Sequence, residues 1–248
     1  MRSTAVGRTI TIVRVLNEII LGNASPQELR DQVEGRMVKE TSRHGKYVGL
    51  HLSSGKVLVL HFGMTGSIQR LGTGSDPRYS NMIFYLDNGN RLAFVCMRLL
   101  CRAYLADDMP SFVRWKRLGP DALDGLTWEY FENGLANRSA KIKQVLLDQH
   151  FTAGIGNIYA DEILYQSRIN PIRRVGELSL DDRKGIFDQI GNVLGRAVDA
   201  GSDWDRMPDG FLLHDRGPHG RCPECCSGLE SVKVGGRTSY FCPVCQPV

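Results

Sequence analysis

Through roughly the first hundred residues, apolar and polar side chains alternate in short β-branched runs at 9–15, 46–52, 57–62, 82–86 and 91–94. A period of two turns one face of a strand to a core and the other to water, and Ser53-Ser-Gly55 and Asp87-Asn-Gly89 supply turn residues between runs. Residues 1–108 are therefore predicted as an antiparallel β-sandwich or barrel. One helix interrupts it, with Ser25 as cap and Pro26 in the first turn, running to about Val33. Beyond Gly119-Pro120 the apolar spacing changes to three and four residues, which predicts helices over 127–135, 139–149, 157–167 and 180–200. Residues 109–125 read as a linker, 126–215 as a helical domain and 216–248 as a small third unit. The Gly-, Asp- and Pro-rich stretch from Gly201 is too long and polar for an ordinary connection, and reads either as a functional loop or as slack.

With 248 residues the chain is long enough to bury a real core. Its net charge of +4 permits a nucleic-acid partner without demanding one. No leader of signal-peptide type and no run of about 18 apolar residues is present, so a soluble, cytoplasmic protein with no membrane partner is expected.

The seven cysteines sharpen the picture. Cys222-Pro-Glu-Cys225 and Cys242-Pro-Val-Cys245 are two knuckles separated by a hairpin-sized span, the spacing that offers four thiolates to one Zn²⁺. With every position filled by sulfur the metal is structural, and binding supplies folding free energy on the order of 10 kcal/mol to a segment with little core. Between the knuckles Gly235-Gly236 predicts a hairpin turn with Arg237 beside its tip, a side chain presented for binding or merely solvated. Cys96, Cys101 and Cys226 show no pairing scheme, in keeping with a reducing interior, and Cys226 is read as a spectator.

A second signal lies in Phe151-Thr-Ala-Gly-Ile-Gly-Asn157, where Gly154 and Gly156 let the backbone approach another molecule and Asn157 is expected to cap the next helix. Free N–H groups and a positive dipole end suit a phosphate there, with Lys141 and Lys143 close upstream. Glycines also occur in tight helix–helix turns for geometric reasons alone.

The stretch from Ile142 to Glu162, the hairpin ending Tyr240-Phe-Cys-Pro-Val-Cys-Gln246, Gly45-Lys-Tyr47 and His61-Phe-Gly-Met-Thr-Gly66 occur in an order and spacing that resembles the formamidopyrimidine-DNA glycosylase and endonuclease VIII family over nearly the whole chain. The resemblance implies an α+β multidomain protein: a β-sandwich, a helix-two-turns-helix domain and a zinc-finger hairpin gripping damaged double-stranded DNA. It further implies base-excision repair by a monomer that excises oxidised bases and cleaves the abasic site, with the base rotated out of the stack. On this resemblance Lys46 matches a phosphate-binding lysine near the catalytic centre, and Met64 the residue that enters the vacated space. Arg98 matches the reader of the opposite base, Lys143 and Asn157 match backbone-phosphate contacts, and Arg237 matches the zinc-finger arginine beside the lesion's phosphate. Without its neighbours Met64 would read equally well as sandwich core. The stretch from Gly201 to Arg216 matches the place where some members close a lid.

Three departures stand beside these matches. The family's opening Pro-Glu, nucleophile and proton handler, has no counterpart in Met1-Arg-Ser-Thr-Ala5, and Val6-Gly-Arg-Thr-Ile10 already matches the stretch after the family's first helix. Neither Met1 nor the permanently charged Arg2 offers a well-placed free amine, so no Schiff-base chemistry is expected of these 248 residues. Either the polypeptide begins upstream, or the protein binds damaged DNA without cutting it. The family's aromatic wedge is replaced by Leu100 within Cys96-Met-Arg-Leu-Leu-Cys101, which props a helix open but stacks poorly. Cys226 directly follows a metal ligand.

Overall fold

The computed structural model describes residues 2–72, 74–136 and 138–248; Met1, weighed above as an amine, lies outside them. The chain forms two compact units, Met1–Arg117 and Leu118–Val248.

The first unit opens on a single helical turn, α1 (Arg2–Ala5), where no helix was expected. Eight antiparallel strands follow: β1 (Thr9–Val15), β2 (Arg36–His44), β3 (Tyr47–Leu52), β4 (Val57–His61), β5 (Ser67–Leu71), β6 (Ser80–Leu86), β7 (Arg91–Val95) and β8 (Arg102–Ala106). Their order is β5-β7-β6-β1-β2-β3-β4-β8. β1 and β2 meet at only two register pairs, Thr9 with Met37 and Ile10 with Arg36, so the sheet folds there into two four-stranded layers. Ile10, Val13, Phe84 and Phe94 from one layer and Val38, Leu50, Leu58 and Leu60 from the other share one core, which is a sandwich. Each such side chain contributes about 1.5–3 kcal/mol on burial. The helix α2 (Pro26–Val33) starts as expected, with Ser25 and Glu28 forming a capping box, and buries Leu29 and Val33 in the same core.

Three strands, β2, β5 and β8, escaped the sequence pattern. In β2 only Val38 is buried and in β5 only Leu71, so neither carries an alternating apolar signal, and β5 and β8 are short sheet edges. Ile12, by contrast, fits the alternation of β1 yet is exposed, because a bulge between Ile10 and Ile12 reverses the register. The expected linker 109–125 holds a helix, α3 (Met109–Trp115), capped by Asp108, whose carboxylate accepts from Ser111 N at 2.6 Å. Phe112 packs against Tyr47 (5.0 Å between centroids) and Tyr104 (5.3 Å), covering the outer face of β3, β4 and β8. That cover explains why four successive residues of β4, Val57 to Leu60, are all buried.

The second unit contains α4 (Trp128–Leu135), α5 (Ile142–Leu147), α6 (Asn157–Gln166) and α7 (Leu180–Asp199), followed by a two-stranded hairpin of β9 (Glu230–Val234) and β10 (Arg237–Phe241). Phe131, Ile142, Leu146, Ile155, Ile163, Ile186 and Val193 meet in its core. α5 is shorter than its apolar spacing predicts. Lys141 is extended and bridges Arg174, and the chain beyond Asp148 turns around the Gln149 amide, which donates to Leu147 O and Ile155 O (both 3.0 Å) while its Oε1 accepts from Gly154 N (3.1 Å). The loop after Gly201 is not slack along its length. It carries 3-10 turns at Trp204–Arg206 and Leu212–His214, buries Met207, Leu212 and Leu213, and donates Leu212 N and Leu213 N to the buried Glu162 carboxylate (3.1 and 2.8 Å). Among the described residues no helix is long and apolar enough to cross a membrane.

Candidate nucleic-acid interface

In the first unit the candidate residues sit on hairpin and inter-strand turns. β2 and β3 pair up to His44 with Tyr47, leaving Gly45-Lys46 as a two-residue loop with Gly45 at φ +56°. Lys46 is thereby held half-exposed near the end of β4. Its ammonium acts on His61: burial first, then the Lys46 charge, holds the imidazole pKa below its ordinary value. His61 Nδ1 in turn accepts Gly63 N at 3.2 Å, and Gly66 N donates to Phe62 O at 2.8 Å, closing the turn that carries Met64.

Gly63 has φ +62°, and a Cβ there would lie 2.8 Å from the Leu100 carbonyl carbon, so only glycine lets the Met64 turn rest on the turn that bears Leu100. The latter is shaped by Arg102, which donates to Leu99 O and Cys101 O at 2.8 and 2.7 Å, and is anchored by buried Cys96 and Cys101. Two wedge-like side chains are thus neighbours and stand in solvent, Met64 at 68% and Leu100 at 46% exposure. Arg98 is exposed on the same turn. Met64 is therefore not sandwich core.

In the second unit the structure departs from two expectations. Asn157 does not cap α6: Gly156 occupies the cap position, and the Asn157 amide reaches across to donate to Thr238 O at 3.0 Å. No side chain caps α6, and among the described residues the N–H groups of Asn157 and Ile158 find no partner, so the positive end of this helix is open to an anion. The turn before it needs a glycine at Gly154 (φ +125°), whereas Gly156 is extended (φ −102°, ψ 171°).

Lys143, expected to touch a DNA phosphate, is instead fully buried and ion-paired with Asp161 at 2.6 Å. It lies on the inner face of α5 among the buried Ile142, Val145 and Leu146, with the Asp161 carboxylate of its own unit against its ammonium. Burial presses its pKa down and Asp161 opposes that shift. Asp161 and Arg216 were not singled out in the sequence. The available signal was helical spacing: Asp161 lies four residues after Asn157, on the same face of α6.

Arg237 stands exposed where expected, at the first position of β10. Val234 pairs with Arg237, and Gly235 and Gly236 have φ +56° and +75°, the left-handed pair that a two-residue hairpin loop demands. The four thiols at the hairpin base, Cys222, Cys225, Cys242 and Cys245, lie within 4.8 Å of one another. The Cys222–Cys245 and Cys225–Cys242 sulfur separations are 3.7 and 3.5 Å. Four sulfurs at about 2.3 Å from a common centre would be about 3.8 Å apart, so the donor set fits a tetrahedral metal. Backbone N–H groups of Cys225 and Cys245 point at Cys222 Sγ and Cys242 Sγ (3.5 and 3.3 Å), and the Ser227 hydroxyl lies 2.8 Å from Cys225 Sγ, donors that suit thiolate sulfur. Cys226, next to a ligand, is exposed at φ +60° and outside the cluster.

Comparison with known proteins agrees with this geometry. The family model for the formamidopyrimidine-DNA glycosylase N-terminal domain matches residues 1–103, and that for the formamidopyrimidine-DNA glycosylase H2TH domain matches residues 118–207. The formamidopyrimidine-DNA glycosylase of Pelotomaculum thermopropionicum is 35% identical over 257 residues, covering 98% of this chain and 93% of its own. That of Desulforamulus reducens is 33% identical, covering 97% and 92%. The fold matches the Lactococcus lactis formamidopyrimidine-DNA glycosylase bound to abasic-site DNA with a TM-score of 0.90 at 24% identity, over 100% of this chain and 95% of that one. A two-layered sheet with the exposed Met64 and Leu100 turns side by side, an uncapped helix start beside a four-cysteine hairpin, and relatives 35% and 33% identical over nearly the whole chain have one explanation: the chain belongs to the formamidopyrimidine-DNA glycosylase family.

Proposed function

We propose that this protein is a base-excision repair DNA glycosylase that recognises oxidised bases in duplex DNA. The observation that carries the reading is the uncapped start of α6 beside the Arg237 hairpin, with Thr238 O tied to Asn157. Phosphodiesters are anions that backbone N–H groups and a guanidinium hold without reading sequence. In this assignment the first turn of α6 and Arg237 take backbone phosphates, and Lys46 takes one near the reacting sugar. Asn157 contributes by holding the hairpin against the helix start. Met64 and Leu100 enter the stack when the damaged base rotates out, and Arg98 meets the opposite base. Unstacking costs a few kcal/mol, and exposed, flexible apolar side chains recover part of it.

Zn²⁺ is proposed as the metal of the four thiolates, where its chemistry is structural cross-linking, since four sulfurs leave no open coordination position. Cys222, Cys225, Cys242 and Cys245 hold it, and Tyr165, whose hydroxyl lies 3.3 Å from Cys222 Sγ, links that cluster to α6.

Borohydride trapping tests the Schiff-base step. Duplexes carrying oxidised guanine or an abasic site are incubated with the protein and reductant. Base release with a covalent adduct supports a glycosylase with abasic-site lyase activity; base release with no adduct supports excision without the amine step. Tight binding with no base release overturns the enzymatic assignment in favour of a damaged-DNA-binding protein.

A further inference from the structure

We propose, resting on the reading above, that Asp161 is a positioning residue whose buried carboxylate aims the Arg237 hairpin at the DNA backbone. Asp161 is 1% exposed, one turn into α6. One of its oxygens meets Lys143 Nζ at 2.6 Å and accepts the Ser239 hydroxyl. The other accepts Arg216 Nε at 2.9 Å, Arg216 Nη2 at 2.7 Å and Tyr240 N at 3.2 Å. A carboxylate offers about four acceptor sites, so this one is saturated and has no rotational freedom left.

The donors come from separate parts of the unit: Lys143 from α5, Arg216 from the loop before the first knuckle, and Ser239 and Tyr240 from β10. Thr238 O, the next group along, accepts both Asn157 Nδ2 (3.0 Å) and Arg216 Nη2 (3.2 Å). Three consecutive residues of β10 are therefore fastened to one face of α6, and the residue immediately before them is Arg237. Side chains two apart on a strand share a face, so Arg237 projects on the side that Ser239 turns toward Asp161.

Stability alone is a poor account of this arrangement. Burying ions costs several kcal/mol each, and an apolar replacement is often as stable; Lys143 Nζ meets Asp161 at 2.6 Å yet finds no well-aligned hydrogen bond, whereas the carboxylate has its acceptor sites filled and is held in one geometry. Here two cations share a single carboxylate, which leaves surplus positive charge at the end of the hairpin where Arg237 stands. Lys143 thus acts through Asp161, inside the unit.

The test is a double-mutant cycle on DNA affinity, using the full zinc-loaded chain and a duplex with a tetrahydrofuran abasic analogue, read by fluorescence anisotropy, with zinc content and melting temperature measured for each variant. Arg237→Ala is expected to weaken binding about tenfold or more, the loss of one charge-assisted contact. Asp161→Asn, which keeps Arg237, is expected to weaken binding comparably and to lower the salt slope by about one, as Arg237→Ala does. The double variant is expected within about twofold of either single one, because both remove the same contact. Should Asp161→Asn misfold, Ser239→Ala replaces it: a loss of a few-fold in the parent that vanishes in the Arg237→Ala background supports the role. Unchanged affinity in the folded, zinc-loaded variants, or losses that multiply, overturns it. A parent chain that does not bind the duplex overturns both this role and the reading beneath it; a parent that binds and is weakened only by Arg237→Ala overturns the positioning role alone.

Discussion

Single residues decide how the first unit presents its turns. His61 shows this through pH. Its folded pKa is lowered, by burial and then by Lys46, below the unfolded value of about 6.5, so the unfolded chain binds the extra proton first. The stabilisation is present above about pH 6.5 and is lost as pH falls below that toward the folded pKa. Thermal melts between pH 8 and 5 are therefore expected to fall more steeply for the parent than for His61→Gln, and parallel curves would contradict the assignment. Gly63 is the second decisive position. Alanine there would take a left-handed φ of +62° and press on the Leu100 backbone. Gly63→Ala is expected to cost about 1–2 kcal/mol, seen as a lower denaturant midpoint with an unchanged slope. Met64→Ala is the contrasting case, since an exposed side chain leaves stability within about 0.5 kcal/mol while lesion binding weakens. Gly63 was visible only as a letter in a motif. Its reason, a second turn whose Leu100 backbone a Cβ on residue 63 would meet at 2.8 Å, is a contact between residues 37 positions apart and belongs to the folded chain.

At the scale of elements, strands and helices were legible wherever their signal was local. The Ser25 cap with Pro26 in the first turn and the Gly235-Gly236 loop needed nothing beyond neighbouring residues, and both formed as read; that Glu28 completes a capping box is added by the structure. β2, β5 and α3 were not legible, because each is defined by what it packs on. β2 pairs on both sides yet buries only Val38, and α3 is recognisable as cover only once Tyr47 and Tyr104 are beneath it. The hairpin of β9 and β10 carries the four clustered cysteines at its base, and a metal held there is expected to fix it. Removing metal with a strong chelator, or making Cys242→Ser, is expected to unfold the hairpin and weaken DNA binding while the melting of the first unit stays put. About one equivalent of zinc released per chain, followed with a colorimetric dye, checks the stoichiometry, and retained binding after full release would sink the structural role.

For the molecule as a whole, a charge of +4 is too small to make phosphate binding a matter of bulk attraction, so affinity has to come from a few placed cations. The logarithm of the binding constant is expected to fall linearly with the logarithm of salt, with a modest slope that Arg237→Ala lowers by about one; an unchanged slope would remove Arg237 from the phosphate contacts. Exchanging Lys143 cannot be read this way, since its ammonium is paired inside the unit. The amino-acid sequence by itself determined an antiparallel β first unit, a helical second one, the cysteine cluster and the family, because alternation, helical spacing, cysteine spacing and motif order are written along the chain; the choice of sandwich over barrel followed from the family resemblance and not from alternation. Only the tertiary structure decided which charges face outward. Arg237 could be placed beside the Gly235-Gly236 tip from its neighbours, but nothing local marked Lys143 as buried. Packing does, since a cation kept from water must find a carboxylate, and Asp161 reaches Lys143 only when α5 and α6 pack.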